Sequence, residues 1–297
     1  MEALNMKPHG GKGRLITFCG LDGCGKSTMI RRTEAYLTSL GYPVLLTKQP
    51  TDFVRRSDIF RTYMDAENHD AYDYRSLSLL AASDRVQHGN RVVLPALLAG
   101  KTVVSDRYFY SCLANLRARG YEDDRWIYEV AQSIPKPDLA FFLDVPVPTA
   151  VRRVRSREAE KDRYIDMELQ YRLREEYVEI AKKNGGILLS TECSEAETFA
   201  RIKEKLDELF SVKTSVSDQV KEILSTLTEC GDIRGENTLT EDLGLDSLGH
   251  VALMVELEER LGIEFEEADL NPFDLVTVDD VLRLAERYMG GHDENGA

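Results

Sequence analysis

Apolar residues follow two rhythms along this chain. Short apolar runs occur at 14–19 (RLITFC), 44–47, 102–105 (TVVS), 139–144 (LAFFLD) and 187–190. Their brevity and β-branched content predict strands. Between them apolar positions recur at helical spacing over 26–40, 54–64, 74–99, 167–183 and 194–210. Gly41 and Asn184-Gly185-Gly186 supply stops. Strands separated by helices predict a parallel sheet with helices on both faces. Past Ser211 the strand rhythm ends. Residues 211–217 (SVKTSVS) read as a short linker, and three helical patterns follow at 216–229, 247–261 and 277–289. The expected architecture is α/β followed by a small all-α bundle, with domains at 1–211 and 212–297.

Charge sharpens that division. The net charge is −14, yet from Val212 onward there are 6 basic and 21 acidic residues. An acidic module follows a nearly neutral one. Such a module repels nucleic acid and anionic membrane, and suits partners with basic docking patches. No apolar run reaches the length of a membrane span. The N-terminus lacks the apolar stretch of a secretory leader, so the expectation is a cytoplasmic protein. Cys19, Cys24, Cys112, Cys193 and Cys230 are scattered and read as free thiols.

The strongest chemical signal is Gly20-Leu21-Asp22-Gly23-Cys24-Gly25-Lys26-Ser27, which fits G-x-x-x-x-G-K-[ST] between a predicted strand and a predicted helix. Glycines let backbone N–H groups turn onto phosphate oxygens, and the helix N-terminus adds partial positive charge. In this pattern the loop through Thr28 binds ATP, Lys26 reaches the β- and γ-phosphates, and the Ser27 hydroxyl ligates Mg²⁺. The motif alone names no acceptor, because many ATPases and GTPases share it.

Further motifs follow in order: Lys48-Gln49-Pro50-Thr51-Asp52, Asp84-Arg85-Val86-Gln87-His88, Ser105-Asp106-Arg107-Tyr108, and Arg153, Arg155 and Arg157 ahead of Asp162-Arg163. Together with the loop they resemble the thymidylate kinases over about residues 14–210. The resemblance implies a P-loop kinase fold. It implies that Arg107 holds the acceptor's phosphate, with Asp106 near Mg²⁺ or the acceptor. Asp22 would contact the sugar, and Arg85 the base edge. The arginine run would be a lid closing over ATP, supplying charge that Gly23 and Cys24 do not bring to the loop. The bland alternative for that run is a solvated helix face. Tyr171, Arg172, Arg174 and Tyr177 are candidates for the closing helix of that lid, but read first as ordinary amphipathic packing and solvated charge. A homodimer through the kinase domain is also in keeping with the resemblance.

The departures gather in the acceptor pocket. Thymidylate kinases place a stacking Phe four residues before the arginine that matches Arg85; here that position is Ala81. A second pocket position falls at Asn115, and Lys48-Gln49 replaces Arg-Glu. Base stacking on an aromatic ring is worth about 1–3 kcal/mol. Its loss predicts roughly tenfold or more weaker thymidylate binding.

Asp242-Leu243-Gly244-Leu245-Asp246-Ser247-Leu248, followed by an apolar-periodic helix, resembles acyl and peptidyl carrier proteins over about 215–290. The resemblance makes Ser247 the attachment point for 4′-phosphopantetheine. It implies a phosphopantetheinyl transferase and acyl-loading enzymes as partners. The plain alternative is that Ser247 is only a helix N-cap. Three functions compete: a thymidylate-type nucleotide kinase with a passenger carrier; a tailoring kinase whose small-molecule acceptor rides on Ser247; and an inactive kinase domain on a carrier module. The intact Lys26, Ser27, Asp106 and Arg107 argue against the third.

Overall fold

The computed structural model describes residues 1–64, 71–161, 164–211, 216–228, 230–271 and 274–290. Five strands, β1 (Leu15–Cys19), β2 (Val44–Lys48), β3 (Thr102–Asp106), β4 (Leu139–Asp144) and β5 (Ile187–Ser190), form one sheet in the order β2-β3-β1-β4-β5. Every pairing is parallel, so each crossover needs a helix, as the two rhythms require. The three central strands are almost wholly buried, and Phe18 stacks on Phe141 at 5.1 Å. The register sets Phe18, Lys48 and Asp106 abreast at the carboxyl edge. In open α/β sheets that edge is where ligands bind.

The helices of this unit are α1 (Lys26–Ser39), α2 (Asp52–Arg55), α3 (Asp58–Met64), α4 (Tyr74–His88), α5 (Leu94–Leu98), α6 (Tyr110–Arg117), α7 (Trp126–Ala131), α8 (Val147–Arg155), α9 (Met167–Lys183) and α10 (Glu195–Phe210). Two departures from the sequence reading have physical causes. The pattern expected as one helix over 74–99 is interrupted at Gly89–Val93 by a π-type turn, where the Leu94 N–H reaches Gly89 O. Pro95, lacking an N–H, follows it within the first turn of α5. The pattern over 54–64 is two short helices, the first capped by Thr51, whose hydroxyl accepts from Phe53 N. Helix α6 escaped periodicity altogether: most of its residues are buried, so it has no polar face to set a period.

The chain divides into two compact units, Met1–Leu206 and Asp207–Ala297. Residues 212–215, where the sequence sets its boundary, lie outside the described residues. The second unit contains α11 (Val216–Thr228), α12 (Ser247–Leu261) and α13 (Val278–Gly290). Their inward faces bury Val220, Ile223, Leu224, Leu253, Leu257 and Val281, and the connecting segment adds Leu239, Leu243 and Leu245. Asp280 and Thr277 cap α13 reciprocally: Thr277 N and Oγ1 both donate to the carboxylate at 2.7 Å, and Asp280 N donates back to Thr277 Oγ1. All five cysteines are free thiols. Among the described residues no helix is long and apolar enough to cross a membrane.

Candidate active site

The loop from Gly20 to Ser27 leaves β1 and enters α1 through backbone that only glycine adopts easily. Gly23 has φ +84, and a Cβ there would lie 2.2 Å from Ala150 O. Gly25 has φ +94 and caps α1 without any side-chain hydrogen bond, which leaves the first N–H groups of the helix for another acceptor. Cys24 is buried behind the loop. The Lys26 ammonium is also buried and donates to Leu21 O at 2.6 Å and Gly20 O at 3.1 Å. Ser27 is exposed one position further on.

The ends of β2 and β3 add the next groups. Lys48 Nζ stands 3.3 Å from Asp106 Oδ2, a consequence of their shared register. Asp106 Oδ1 is buried and has no hydrogen-bond partner. A buried carboxylate oxygen without a donor is costly. With the Ser27 hydroxyl in the same cavity wall, it suits a hard cation such as Mg²⁺, whose other ligands would be phosphate oxygens and water. Among the described residues there is no cluster of three His, Cys, Asp or Glu ligands.

Arg107 is a non-glycine residue at φ +67. Its N–H donates to Phe18 O, and its carbonyl accepts from Ser105 Oγ, two bonds that hold the strained backbone. The guanidinium is thereby placed against Asp22 at 2.5 Å, Gly20 O at 3.3 Å and the Tyr177 hydroxyl at 3.0 Å. Tyr177 donates in turn to Ser111 Oγ at 3.1 Å. Burial raises the Tyr177 phenol above its ordinary value against the pull of Arg107, so it stays a neutral donor. Burial likewise pushes the Cys19 thiol up to about 11, which keeps it protonated at neutral pH.

These groups and a second set open into one cavity of about 550 Å³. The second set comes from α3, α4, α6 and the turn that follows α6. Ala81 and Arg85 share a face of α4, and Arg85 is anchored by donating to Ala81 O at 2.9 Å and Tyr108 O at 3.4 Å. Asn115 on α6 donates to Ser111 O. Tyr63, Tyr74 and Arg119, which sequence reasoning missed, line the same end. Arg119 lies 4.0 Å above the Tyr74 ring and 5.3 Å above that of Tyr63. Such contacts are worth about 0.5–2 kcal/mol each.

Of the arginines expected to form a lid, Arg157 lines the cavity, 3.7 Å from Glu160. Arg153 bonds instead to the side chain and carbonyl of Thr191. Arg155 is exposed on the last turn of α8, away from the cavity lining. Asp162 and Arg163 lie outside the described residues. Helix α9, read from sequence as packing, holds Tyr177 in the site. It is tied to the sheet by the Arg174–Asp144 pair, both bonds 2.7 Å, and to α6 by Arg117–Glu176 at 2.7 Å.

In the second unit Ser247 is the first residue of α12 and is exposed. It is not the cap: Asp246 holds that place, its carboxylate accepting from Gly249 N at 2.8 Å. The cap-only reading of Ser247 is thus replaced by an unburied hydroxyl just inside the helix.

The thymidylate kinase family model matches residues 18–202, and a phosphopantetheine attachment site model matches residues 218–285. Two relatives named "Probable thymidylate kinase", from Pyrococcus horikoshii and Thermococcus kodakarensis, are each 38% identical. The matches cover 58% and 56% of this chain, and 84% and 83% of theirs. A thymidylate kinase of Geobacillus is 31% identical over 71% of this chain and 99% of its own length. The chain therefore belongs to the thymidylate kinase family, as a nucleoside monophosphate kinase-type phosphotransferase that continues into a carrier domain of the phosphopantetheine-attachment kind.

Proposed function

We propose that the kinase unit transfers the γ-phosphoryl of ATP to the phosphate of a nucleoside monophosphate, thymidylate by default, and that Ser247 carries 4′-phosphopantetheine. The observation that supports this most is the single cavity into which both the phosphate loop and the Arg85–Asn115 wall open. Phosphoryl transfer asks for positioning and charge neutralisation more than for covalent chemistry. The loop N–H groups and Lys26 would hold the donor phosphates. Arg107, oriented by Asp22 and Tyr177, with Lys48 beside it, would hold the acceptor phosphate. Ser27 and Asp106 would hold Mg²⁺, which when bound neutralises phosphate charge. Arg157 would bring positive charge over the transferring group, and Arg153 would brace α8 against Thr191. On this reading the kinase domain runs over 1–211 and the carrier domain over 212–297, a few residues beyond the division into compact units at 206/207; the locality is cytoplasmic, and a homodimer forms through the kinase domain. A phosphopantetheinyl transferase and acyl-loading enzymes are the carrier's partners.

One observation favours a second reading. Ala81, at the position of the family's stacking Phe, faces the cavity and leaves room for an acceptor other than thymine. A small molecule tethered at Ser247 would then be the substrate, its concentration raised by the tether. Measuring ADP release with Mg-ATP and thymidine monophosphate separates the two. Lys26→Ala sets the background, and that variant should lose about 10²–10³-fold in kcat. Turnover at micromolar acceptor supports thymidylate. Background turnover moves the search to tethered acceptors. Unchanged ADP release in Lys26→Ala would overturn the loop assignment itself.

A further inference from the structure

The acceptor end of the cavity is more basic than a neutral ring requires. The lining contains seven Lys and Arg side chains against three carboxylates, those of Asp22, Asp106 and Glu160. All three carboxylates sit beside a cation at the phosphate end or the lid: Arg107, Lys48 and Arg157. At the other end Arg85 and Arg119 have no carboxylate partner in the lining.

Arg119 is also held with unusual care. Its Nε donates to the Tyr63 hydroxyl at 2.6 Å, and its Nη1 donates to Asn115 Oδ1 at 2.9 Å and Asn115 O at 3.0 Å. The Tyr74 ring supports it, and Tyr63 and Tyr74 pack at 5.1 Å. Two of its three nitrogens are thus committed, and Nη2 makes no hydrogen bond to a described residue. One turn along α4 from Tyr74, Ser78 lines the cavity, and its buried hydroxyl has no hydrogen-bond partner. A fixed guanidinium edge and an unsatisfied hydroxyl in one pocket wall call for oxygen acceptors on the ligand.

We propose that Arg119, held by Tyr63, Tyr74 and Asn115, is a specificity-determining residue of the acceptor subsite. It reads an oxo group at the end of a planar acceptor remote from its phosphate. This rests on the nucleotide-kinase reading and deepens it. With Ala81 unable to stack, selectivity shifts from ring stacking to hydrogen bonding, and dioxopyrimidine monophosphates are preferred over amino-substituted ones. A site built to bond a polar group rejects an analogue that cannot complete the bond.

The test is steady-state kinetics of the full chain with thymidine, deoxyuridine and deoxycytidine monophosphates. Arg119→Met should lower kcat/KM for the two dioxo acceptors about 10–100-fold, the loss of one charge-assisted hydrogen bond. The KM for ATP should stay within about twofold, because the donor site is untouched. Discrimination against deoxycytidine monophosphate should collapse. Tyr63→Phe keeps the ring and removes only the hydroxyl that receives Nε. It should give a smaller loss in the same direction with an unchanged melting temperature, and so guards against an Arg119→Met variant that fails to fold. Wild-type turnover with unchanged acceptor KM and selectivity in both variants would overturn the assignment while leaving the kinase reading intact. A wild type that accepts none of the three monophosphates would overturn the nucleotide-acceptor reading and this subsite assignment together.

Discussion

Helices α1 and α12 each carry a serine within two residues of the N-cap, Ser27 and Ser247, and both have been read as places for phosphate. They are built in opposite ways. Helix α1 is capped by Gly25, which has no side chain to occupy the terminal N–H groups. Helix α12 is capped by Asp246, whose carboxylate already takes the Gly249 N–H and puts negative charge at the helix start. The first suits an anion that comes and goes. The second is poorly suited to a free anion; Asp246 holds the helix start while Ser247 stays exposed. Reversible binding needs vacant donors, whereas covalent attachment needs an accessible nucleophile on a rigid support. The helix dipole therefore explains the first site far better than the second.

That contrast can be broken in a graded series. The largest effect belongs to Ser247→Ala. Mass spectrometry after treatment with a phosphopantetheinyl transferase should show complete loss of the added group, with ADP release unchanged. Modification that survives the substitution would move the attachment point elsewhere. Next is Gly25→Ala. A Cβ there meets nothing closer than 3.9 Å, so the damage comes from φ +94. ADP release should fall about 10²-fold or more as the loop amides lose their alignment. Modification of Ser247 should continue. An enzyme of wild-type rate would show that the loop does not depend on its left-handed cap.

Asp246→Ala should cost about 1 kcal/mol, the usual loss for a removed N-cap. In a unit of this size that is about 4–8 °C in melting temperature. Calorimetry on the carrier unit's transition checks it, and a transition that does not move would mean the cap contributes nothing. The smallest effect concerns the third helix start. Hydrogen bonds from Thr277 hold the Asp280 carboxyl below its ordinary value near 3.8. A depressed pKa contributes stability above the unfolded value and loses it as pH falls through the folded one. The gap in melting temperature between wild type and Asp280→Asn should therefore be widest near neutral pH and close below about pH 4. A gap independent of pH would show that shape, not charge, makes that cap.

The phosphate end was largely legible in the sequence because its parts are contiguous or stand at strand ends. A spacing of glycines with Lys26 and Ser27 names the loop, and Asp106-Arg107 follows an apolar run. The acceptor wall was legible only in part. Ala81 and Arg85 share one helix, and the resemblance to thymidylate kinases placed both. Arg119, Tyr63 and Tyr74 come from three elements and meet only after folding. Their one available signal was aromatic and basic residues near the predicted pocket helix, which ordinary packing imitates. Tyr177 was named from the sequence but ranked as packing for the same reason. Its hydroxyl matters because Arg107 lies beside it, and nothing in the helical period of α9 marks that.

The ammonium of Lys26 offers a last consequence. It already donates to Leu21 O and Gly20 O. A nucleotide arriving at this loop does not meet an unbonded cation; it competes with the loop's own carbonyl oxygens for the same protons. Nucleotide affinity is then the difference between two occupancies of one side chain. Substitutions that weaken the carbonyl contacts should tighten binding without touching the nucleotide, so the loop's grip on its own lysine acts as a dial on how readily product leaves.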